Sequence, residues 1–172
     1  SNLKTTHYCD GTPIMEMQDN TVWSNALTPG WCYFNNDPNN NLTFGKLYNN
    51  WTLDNDSLNV CPCGWHMPTD VEWLELVSFL GGGNSATMKL KSTLTWGSLG
   101  GTNESGFNAL AAGYRFPDAS YYTSAPNTYW WRKKGCTWYN EGRPNLNNYS
   151  GFTMTNGTWF SWGHYIRCVK DE

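Results

Sequence analysis

The chain has 172 residues and a formal net charge of −3, and only 15% of its residues are charged. This balance excludes the basic surface that nucleic-acid binding requires, and no apolar run is long enough for direct insertion into a membrane. Aromatic residues make up 16% of the chain, which excludes disorder because disordered chains are poor in rings. The length predicts a single domain, residues 1–172, whose core is built from large rings.

The first third of the chain is predicted to contain short strands, turns and one short helix. Val22-Trp23 is expected to be a buried anchor. After an Asn-rich loop at residues 35–41, the apolar residues of positions 44–51 predict a short first helix. Asp54 and Asp56 leave two interpretations open, a calcium site and a solvated turn, and the absence of a full EF-hand pattern favours the turn.

The clearest local signal is a helix that begins after Thr69. Its hydroxyl can accept from the backbone N–H of Glu72, and Glu72 can accept in return, which makes a capping box. The spacing of one helical face is then kept by Trp73, Leu76, Val77 and Leu80. Three glycines at residues 81–83 predict the end of the helix.

Beyond this helix the pattern is weaker. Residues 88–96 alternate and predict a strand or an extended edge, and residues 109–116 predict a strand of small residues that packs tightly. Arg115 is expected to pair with a buried carboxylate such as that of Glu104.

Residues 131–164 have an unusual composition, because rings and small polar residues alternate there with few aliphatic residues. This combination is typical of an antibody-type paratope, in which rings supply rigid contact area and small polar residues supply adaptable hydrogen bonds. Strand alternation predicts that the rings divide between the core and the surface. The residues expected inside are Trp130, Tyr165 and Ile166. The rings expected outside are Trp138, Tyr139, Tyr149, Trp159 and Trp162.

Several ordered motifs carry a family resemblance. The central motif Cys61-Pro-x-Gly-Trp-His-x-Pro-Thr-Asp-x-Glu-Trp73 is preceded by Gly45-x-Leu-Tyr-Asn49 and followed by Gly113-Tyr-Arg115 and Arg167-Cys-Val-Lys-Asp171. Together they resemble the Fibrobacter succinogenes major paralogous domain, a family of secreted bacterial modules, over essentially the whole chain. The central motif is also similar to that of formylglycine-generating-enzyme-like domains, which have the C-type lectin fold.

The resemblance implies an α+β, C-type-lectin-like fold with one main helix, a short second helix, small antiparallel sheets and long loops. It also implies a scaffold, residues 1–130 and 165–172, that holds residues 131–164 as a ligand-binding face diversified by a retroelement. The expected location is extracellular or on the cell surface, with an export signal upstream of residue 1. The expected partner is a protein or glycan on another cell or surface, and a pilus or larger surface protein is expected to carry the domain.

The residues predicted to bind the ligand all come from this segment. They are Trp131, Arg132, Lys133, Trp138, Tyr139, Asn140, Arg143, Asn145, Asn147, Asn148, Tyr149, Phe152, Asn156, Trp159, Phe160, Trp162 and His164.

The six cysteines indicate disulfides, because the composition is of the exported type. Cys61 and Cys168 match positions of the family, which implies a bridge between them. For the remaining cysteines we expect the pairs Cys9–Cys32 and Cys63–Cys136.

No catalytic residue, metal ligand or cofactor is predicted. His66 is interpreted as a structural hydrogen-bonding residue, and Cys61-Pro-Cys63 has neither the spacing nor the second pair of a zinc site. Three alternatives stay open beside the binding domain. They are an enzyme of the formylglycine-generating type, which needs a free reactive thiol, a carbohydrate-binding module, and a purely structural subunit that self-assembles.

Overall fold

A computed structural model describes residues 1–122, 126–133, 143–147, 151–155 and 160–172. Within these ranges the helices are α1 (Asn20–Ser24), α2 (Asn40–Thr43), α3 (Asp70–Phe79) and α4 (Gly83–Leu90). The strands are β1 (Met15–Glu16), β2 (Gly30–Tyr33), β3 (Lys46–Tyr48), β4 (Trp65–His66), β5 (Tyr114–Arg115), β6 (Tyr121–Tyr122), β7 (Asn127–Tyr129), β8 (Arg143–Asn147), β9 (Gly151–Thr155) and β10 (Val169–Lys170). The architecture is α+β, with small sheets and two longer helices, α3 of 10 residues and α4 of 8 residues.

The strands form four small sheets. Two of them have three strands, in the orders β1-β2-β3 and β7-β8-β9, and two have two strands, β10-β4 and β5-β6. β1 pairs with β2 in parallel, and the other pairs are antiparallel. Leu3 N–H donates to the carbonyl of Ile166 at 2.8 Å, so the two ends of the chain meet. Within the described ranges, no helix is long and apolar enough to span a membrane.

The predicted helix over residues 44–51 is wrong in its central part. A single helical turn, α2, comes before it, and Lys46–Tyr48 is the strand β3, paired with β2. A 3₁₀ turn, Asn50–Leu53, follows and is capped by the buried side chain of Asn49. The apolar residues in this stretch therefore belong to a buried strand, whose side chains are covered on both faces.

The prediction for α3 is confirmed. Glu72 N–H donates to Thr69 Oγ1 at 3.3 Å, and Thr69 N–H donates to Glu72 Oε2 at 2.8 Å, which completes the capping box. Trp73 and Leu80 are buried on the predicted face. The predicted strand over residues 88–96 is wrong at its start, because the glycines after α3 lead directly into α4, which runs to Leu90.

Arg115 is fully buried, but its predicted pairing with Glu104 is wrong. Its guanidinium donates to the carbonyls of Met17 and Ala119 at 2.8 and 3.2 Å and to Asn20 Oδ1 at 2.8 Å. Backbone carbonyls thus replace the expected carboxylate as its hydrogen-bond acceptors. The strand predicted over residues 109–116 is shorter than expected and comprises β5 alone.

The Cys61–Cys168 disulfide is confirmed, and it joins residues 107 positions apart. The other predicted pairs are wrong, because Cys9 bonds to Cys63 and Cys32 is a free, buried thiol. Cys136 lies outside the described residues. The Cys9–Cys63 and Cys61–Cys168 bridges meet at one tripeptide, which fixes the segment before α3 to both ends of the chain.

Buried residues form two clusters. The larger includes Trp23, Trp73 and Trp130, and the smaller includes Trp31 and Trp131. Large rings therefore fill both clusters, as the composition indicates. The predicted interior residues are confirmed inside: Trp130, Tyr165 and Ile166.

Candidate ligand-binding face

A group of aromatic rings lies around Tyr114. Its ring stacks on that of Tyr122 at 5.0 Å between centroids and meets the edge of Tyr129 at 5.0 Å. The ring of Trp162 lies 5.2 Å from Tyr114, and Phe116 lies 5.0 Å from Trp162. Tyr114 is buried at the centre, whereas the four surrounding rings are only half-buried. We call these five residues the aromatic face.

The β5–β6 pairing positions the first half of this face. Tyr114 pairs with Tyr122, and Arg115 pairs with Tyr121 in the next register position. Because side chains alternate along a strand, Arg115 points inward while Tyr114 and Tyr122 share the opposite side. Gly113 has a φ of 63°, and a Cβ there would lie 2.2 Å from the carbonyl oxygen of Tyr122. The close approach of these strands therefore requires glycine.

The pairing of β7 with β8 connects the aromatic face with the β7-β8-β9 sheet. Tyr129 pairs with Asn145, and Asn145 pairs with Thr153 of β9. Directly paired positions share one face of a sheet, so these three positions belong to the same side. The neighbouring row, Thr128, Leu146 and Phe152, belongs to the other side, where Thr128 and Leu146 are fully buried.

The β8–β9 hairpin is anchored to the helices through that inner row. The ring of Phe152 lies 5.9 Å from Trp73 of α3, and Phe152 N–H donates to Thr87 Oγ1 of α4 at 3.0 Å. Gly151 lies so close to Thr87 that a Cβ would be 2.6 Å from its hydroxyl oxygen. The hairpin is thus held by the inward position of Phe152 and by Gly151, which lies one position earlier in the alternate row, opposite Asn147.

The sequence model of the Fibrobacter succinogenes major domain matches residues 1–170. The chain belongs to the Fibrobacter succinogenes major domain family. The resemblance drawn from the sequence motifs is therefore confirmed. No curated protein and no solved structure matches the chain.

In this Fibrobacter-type domain, two predicted ligand-binding residues are core residues instead. Trp131 is buried, and its indole N–H donates to the carbonyl of Tyr48 at 2.7 Å. His164 is fully buried, with its ring 4.6 Å from that of Trp131, and its backbone pairs with Tyr48. Neither side chain can reach an external ligand, so the prediction is wrong for both residues. Both residues are held in the core by Tyr48 of β3.

The flanking predicted residues are accessible to different degrees. Arg132 forms an ion pair with Asp70 at the start of α3, and its side chain is only 11% exposed, which gives it a scaffold contact. Lys133 is exposed. Phe160 is half-buried and stacks against Trp51 at 4.4 Å, and Trp162 belongs to the aromatic face.

The remaining predictions divide into two groups. The first group lies in β8, in the row that alternates with Leu146: Arg143, Asn145 and Asn147. The following predicted residues lie outside the described ranges: Trp138, Tyr139, Asn140, Asn148, Tyr149, Asn156 and Trp159.

Four members of the aromatic face were missing from the predicted site: Tyr114, Phe116, Tyr122 and Tyr129. A signal for them exists in the sequence, because Tyr114 and Phe116 alternate before the Asp118-Ala119 turn and two further rings, Tyr121 and Tyr122, follow it. This alternation is typical of a hairpin with one aromatic side. Their proximity to β8 depends on long-range pairing, which the alternation alone does not indicate.

The described residues contain no cluster of three or more His, Cys, Asp or Glu side chains that could hold a metal ion. His66 lies between two carboxylates, 2.6 Å from Asp171 Oδ1 and 2.6 Å from Glu72 Oε1. Its hydrogen bonds to Asp171 and then to Glu72 raise its pKa above the ordinary value. His66 therefore links the start of α3 to the segment after β10, in agreement with its predicted structural role.

Proposed function

We propose that this domain binds a macromolecular ligand through the aromatic face and the outward side of the β8–β9 hairpin. Its place would be extracellular or on the cell surface, where the ligand is a protein or glycan of another cell or surface. A pilus or a larger surface protein would carry the domain. The two disulfides support this location, because such bonds persist in oxidising compartments.

One observation carries the proposal, namely that the pairing of β7 with β8 brings the ring of Tyr129 next to the polar positions of β8. The Tyr129–Asn145 pair places the polar alternate positions of β8 on the same side as the half-buried rings. Rings supply contact area at a low entropic cost, and small polar residues supply orientation. Tyr122, Phe116 and Trp162 are held by each other and by Tyr114, so they are ordered before any ligand arrives.

The same register gives a physical basis for diversification of the hairpin by a retroelement. Leu146 and Phe152 lie in the inner row, so substitutions in the alternate row of β8 would leave the contacts of this inner row in place. A binding surface of this kind needs a scaffold whose stability is independent of the binding residues. We further infer a C-type-lectin-like topology, supported by the family, the meeting of the two chain ends and the main helix α3.

Binding, and not catalysis, is the function that we propose. An enzyme of the formylglycine-generating type would need a reactive thiol. Among the described cysteines the free thiol is that of Cys32, and burial raises its pKa to about 11, so it stays protonated at neutral pH and is a poor nucleophile. The half-buried rings are more easily explained as a contact surface.

The first test is sequencing of this locus across its source population. We expect substitutions to concentrate in the codons of residues 132–163 and to spare Leu146 and Gly151. Uniform variation along the chain would contradict diversification.

The second test measures binding of the domain to an array of glycoproteins, each printed with and without its glycans. Tyr122→Ser should reduce binding about tenfold or more, because ring truncation at the centre of an interface has effects of this size. Leu94→Ser, at a residue that is 81% exposed elsewhere on the surface, is the matched control. Equal binding by both variants would contradict the role of the aromatic face. Loss of binding on the deglycosylated spots alone would identify a glycan ligand.

A further inference from the structure

A groove with a volume of about 690 Å³ lies between α3, the loop before β5 and the segment around β10. Its apolar lining comes from Trp73, Leu76, Phe79, Phe107 and Val169. None of its lining residues belongs to the aromatic face. Its size falls within the range of ligand pockets in proteins, roughly 300–1,000 Å³.

We propose that this groove binds a segment of a partner protein that carries bulky apolar residues next to Lys or Arg. The site is additional to the proposed ligand-binding function and does not depend on it. The argument has three parts: the apolar surface outside the groove, the charge around it, and the shape of the two together.

The first part is the apolar surface. Phe79 stands at the edge of the groove with 88% of its surface exposed, and Val71 is 62% exposed. Val71, Glu75 and Phe79 follow the i, i+4, i+8 spacing, so they form one line along α3 beside the groove. Two exposed apolar side chains, Val71 and Phe79, therefore flank the exposed Glu75 along α3. Clustered exposed apolar residues beside a groove indicate a contact surface more often than isolated ones.

The second part is the charge. Of the three carboxylates of α3, Asp70 pairs with Arg132 and Glu72 with His66, and among the described residues no ion pair involves Glu75. Glu75 and Glu172 line the groove and are exposed. A partner with cationic side chains next to its apolar residues would place opposite charges together at this rim.

The positive groups nearby do not cancel this charge. Arg167 also lines the groove, but it is buried in the wall, where its N–H groups donate to Asn2 Oδ1 and to the carbonyls of Phe107 and Asn108. Burial lowers its pKa to about 10, so it keeps its charge at neutral pH. Lys170 is next to Val169 in β10, and strand alternation directs it to the other side. The exposed charged side chains of the groove, those of Glu75 and Glu172, are therefore both acidic.

The third part is the shape. The groove continues into the Val71–Phe79 line, so the apolar surface is longer than a compact pocket. A segment with apolar side chains at helical spacing can fill the groove and cover this line at the same time. These features select a peptide segment rather than a small molecule.

The experiment uses the whole domain and three labelled peptides of about 14 residues, a length of about 21 Å when helical. The first has Leu at helical spacing and Lys elsewhere, the second has every Lys replaced by Glu, and the third has every Leu replaced by Ser. Fluorescence anisotropy measures binding, and amide NMR shifts locate it. We expect only the Leu/Lys peptide to bind, with the largest shifts in α3 and β10.

Two variants and two controls complete the test. Phe79→Ser should weaken binding of the Leu/Lys peptide about tenfold or more, because it removes a contact ring. Glu75→Lys should also weaken it, through repulsion. Glu104→Lys makes the same charge reversal at another exposed site, and Leu94→Ser makes a similar apolar-to-polar change; both should leave binding unchanged. These variants do not touch the aromatic face, so the outcome is independent of the ligand-binding test.

Four outcomes would overturn the proposal. They are no binding of the Leu/Lys peptide, equal binding of the Leu/Glu peptide, unchanged binding by Phe79→Ser, and NMR shifts outside the groove. Concentration-dependent dimerisation of the domain that Phe79→Ser abolishes would instead assign this face to a second copy of the chain.

Discussion

The segment around Cys61 and Cys63 and the β8–β9 hairpin are held to the domain in different ways. Two disulfides and the capped start of α3 hold the first, whereas buried side chains of the inner row and one hydrogen bond to Thr87 hold the second. Covalent bonds and caps depend on particular residues at particular positions. An inner row of apolar contacts depends on every second residue only. The scaffold can therefore be rigid while positions in the hairpin stay free to change.

The largest expected effect is the loss of the Cys61–Cys168 bond. The double variant Cys61→Ala/Cys168→Ala should lower the free energy of unfolding by about 4 kcal/mol, because the bond restricts a long loop of the unfolded chain. Urea unfolding under non-reducing conditions measures the change. If a single hairpin substitution lowers the free energy of unfolding by more than this double variant does, the disulfide-bonded segment is not the main support of the scaffold.

The next effect separates the two sides of β8. Leu146→Ala should cost about 3 kcal/mol, because it leaves a cavity in the core. Asn145→Ala, one position earlier on the opposite side, should change the stability by less than about 0.5 kcal/mol. Thermal unfolding of the two variants measures both. Similar losses at the two positions would show that the hairpin has no side free to vary.

A smaller effect tests the contact between the hairpin and α4. Gly151 and Gly106 both have a φ of +67°, but only at Gly151 would a Cβ meet Thr87. Gly151→Ala should cost about 2 kcal/mol and Gly106→Ala about 1 kcal/mol, since both suffer the left-handed strain and only one suffers the clash. Equal losses in chemical unfolding would exclude Thr87 as an anchor.

The smallest effect is the pH dependence of stability, which comes from His66 and Glu72 beside the disulfide-bonded segment. Because the pKa of His66 is raised on folding, its contribution is fully present below about pH 6.5 and is lost as the pH rises through the folded pKa. Burial opposes the ionisation of Glu72, but hydrogen bonds from Thr69 and His66 outweigh it and lower the pKa of Glu72. The contribution of Glu72 is therefore present above about pH 4.5 and is lost as the pH falls through its folded pKa.

Thermal unfolding between pH 4 and pH 9 should accordingly show a melting temperature that declines above about pH 6.5. His66→Gln should remove this decline, and His7→Gln, at an exposed histidine, should keep it. A decline that persists in His66→Gln would assign the pH dependence to another group.

Part of the candidate site was predictable from the sequence. The ring-rich composition of residues 131–164 indicated a contact surface, and the structure places Trp162 on the aromatic face. The burial of Trp131 and His164 was not predictable, because both residues pack against or pair with Tyr48, more than 80 positions earlier in the chain. Composition describes which side chains are present, and only pairing decides which of them face the solvent.

Features that rest on local interactions or on the family motifs could be predicted from the sequence. The capping box of α3 involves residues three positions apart, and the Cys61–Cys168 bond follows from positions of the family. The Cys9–Cys63 bond, the strand β3 and the acceptors of Arg115 depended on the three-dimensional fold. Each of these depends on which distant segments meet, and the free energy of that meeting comes from burial shared by the whole core.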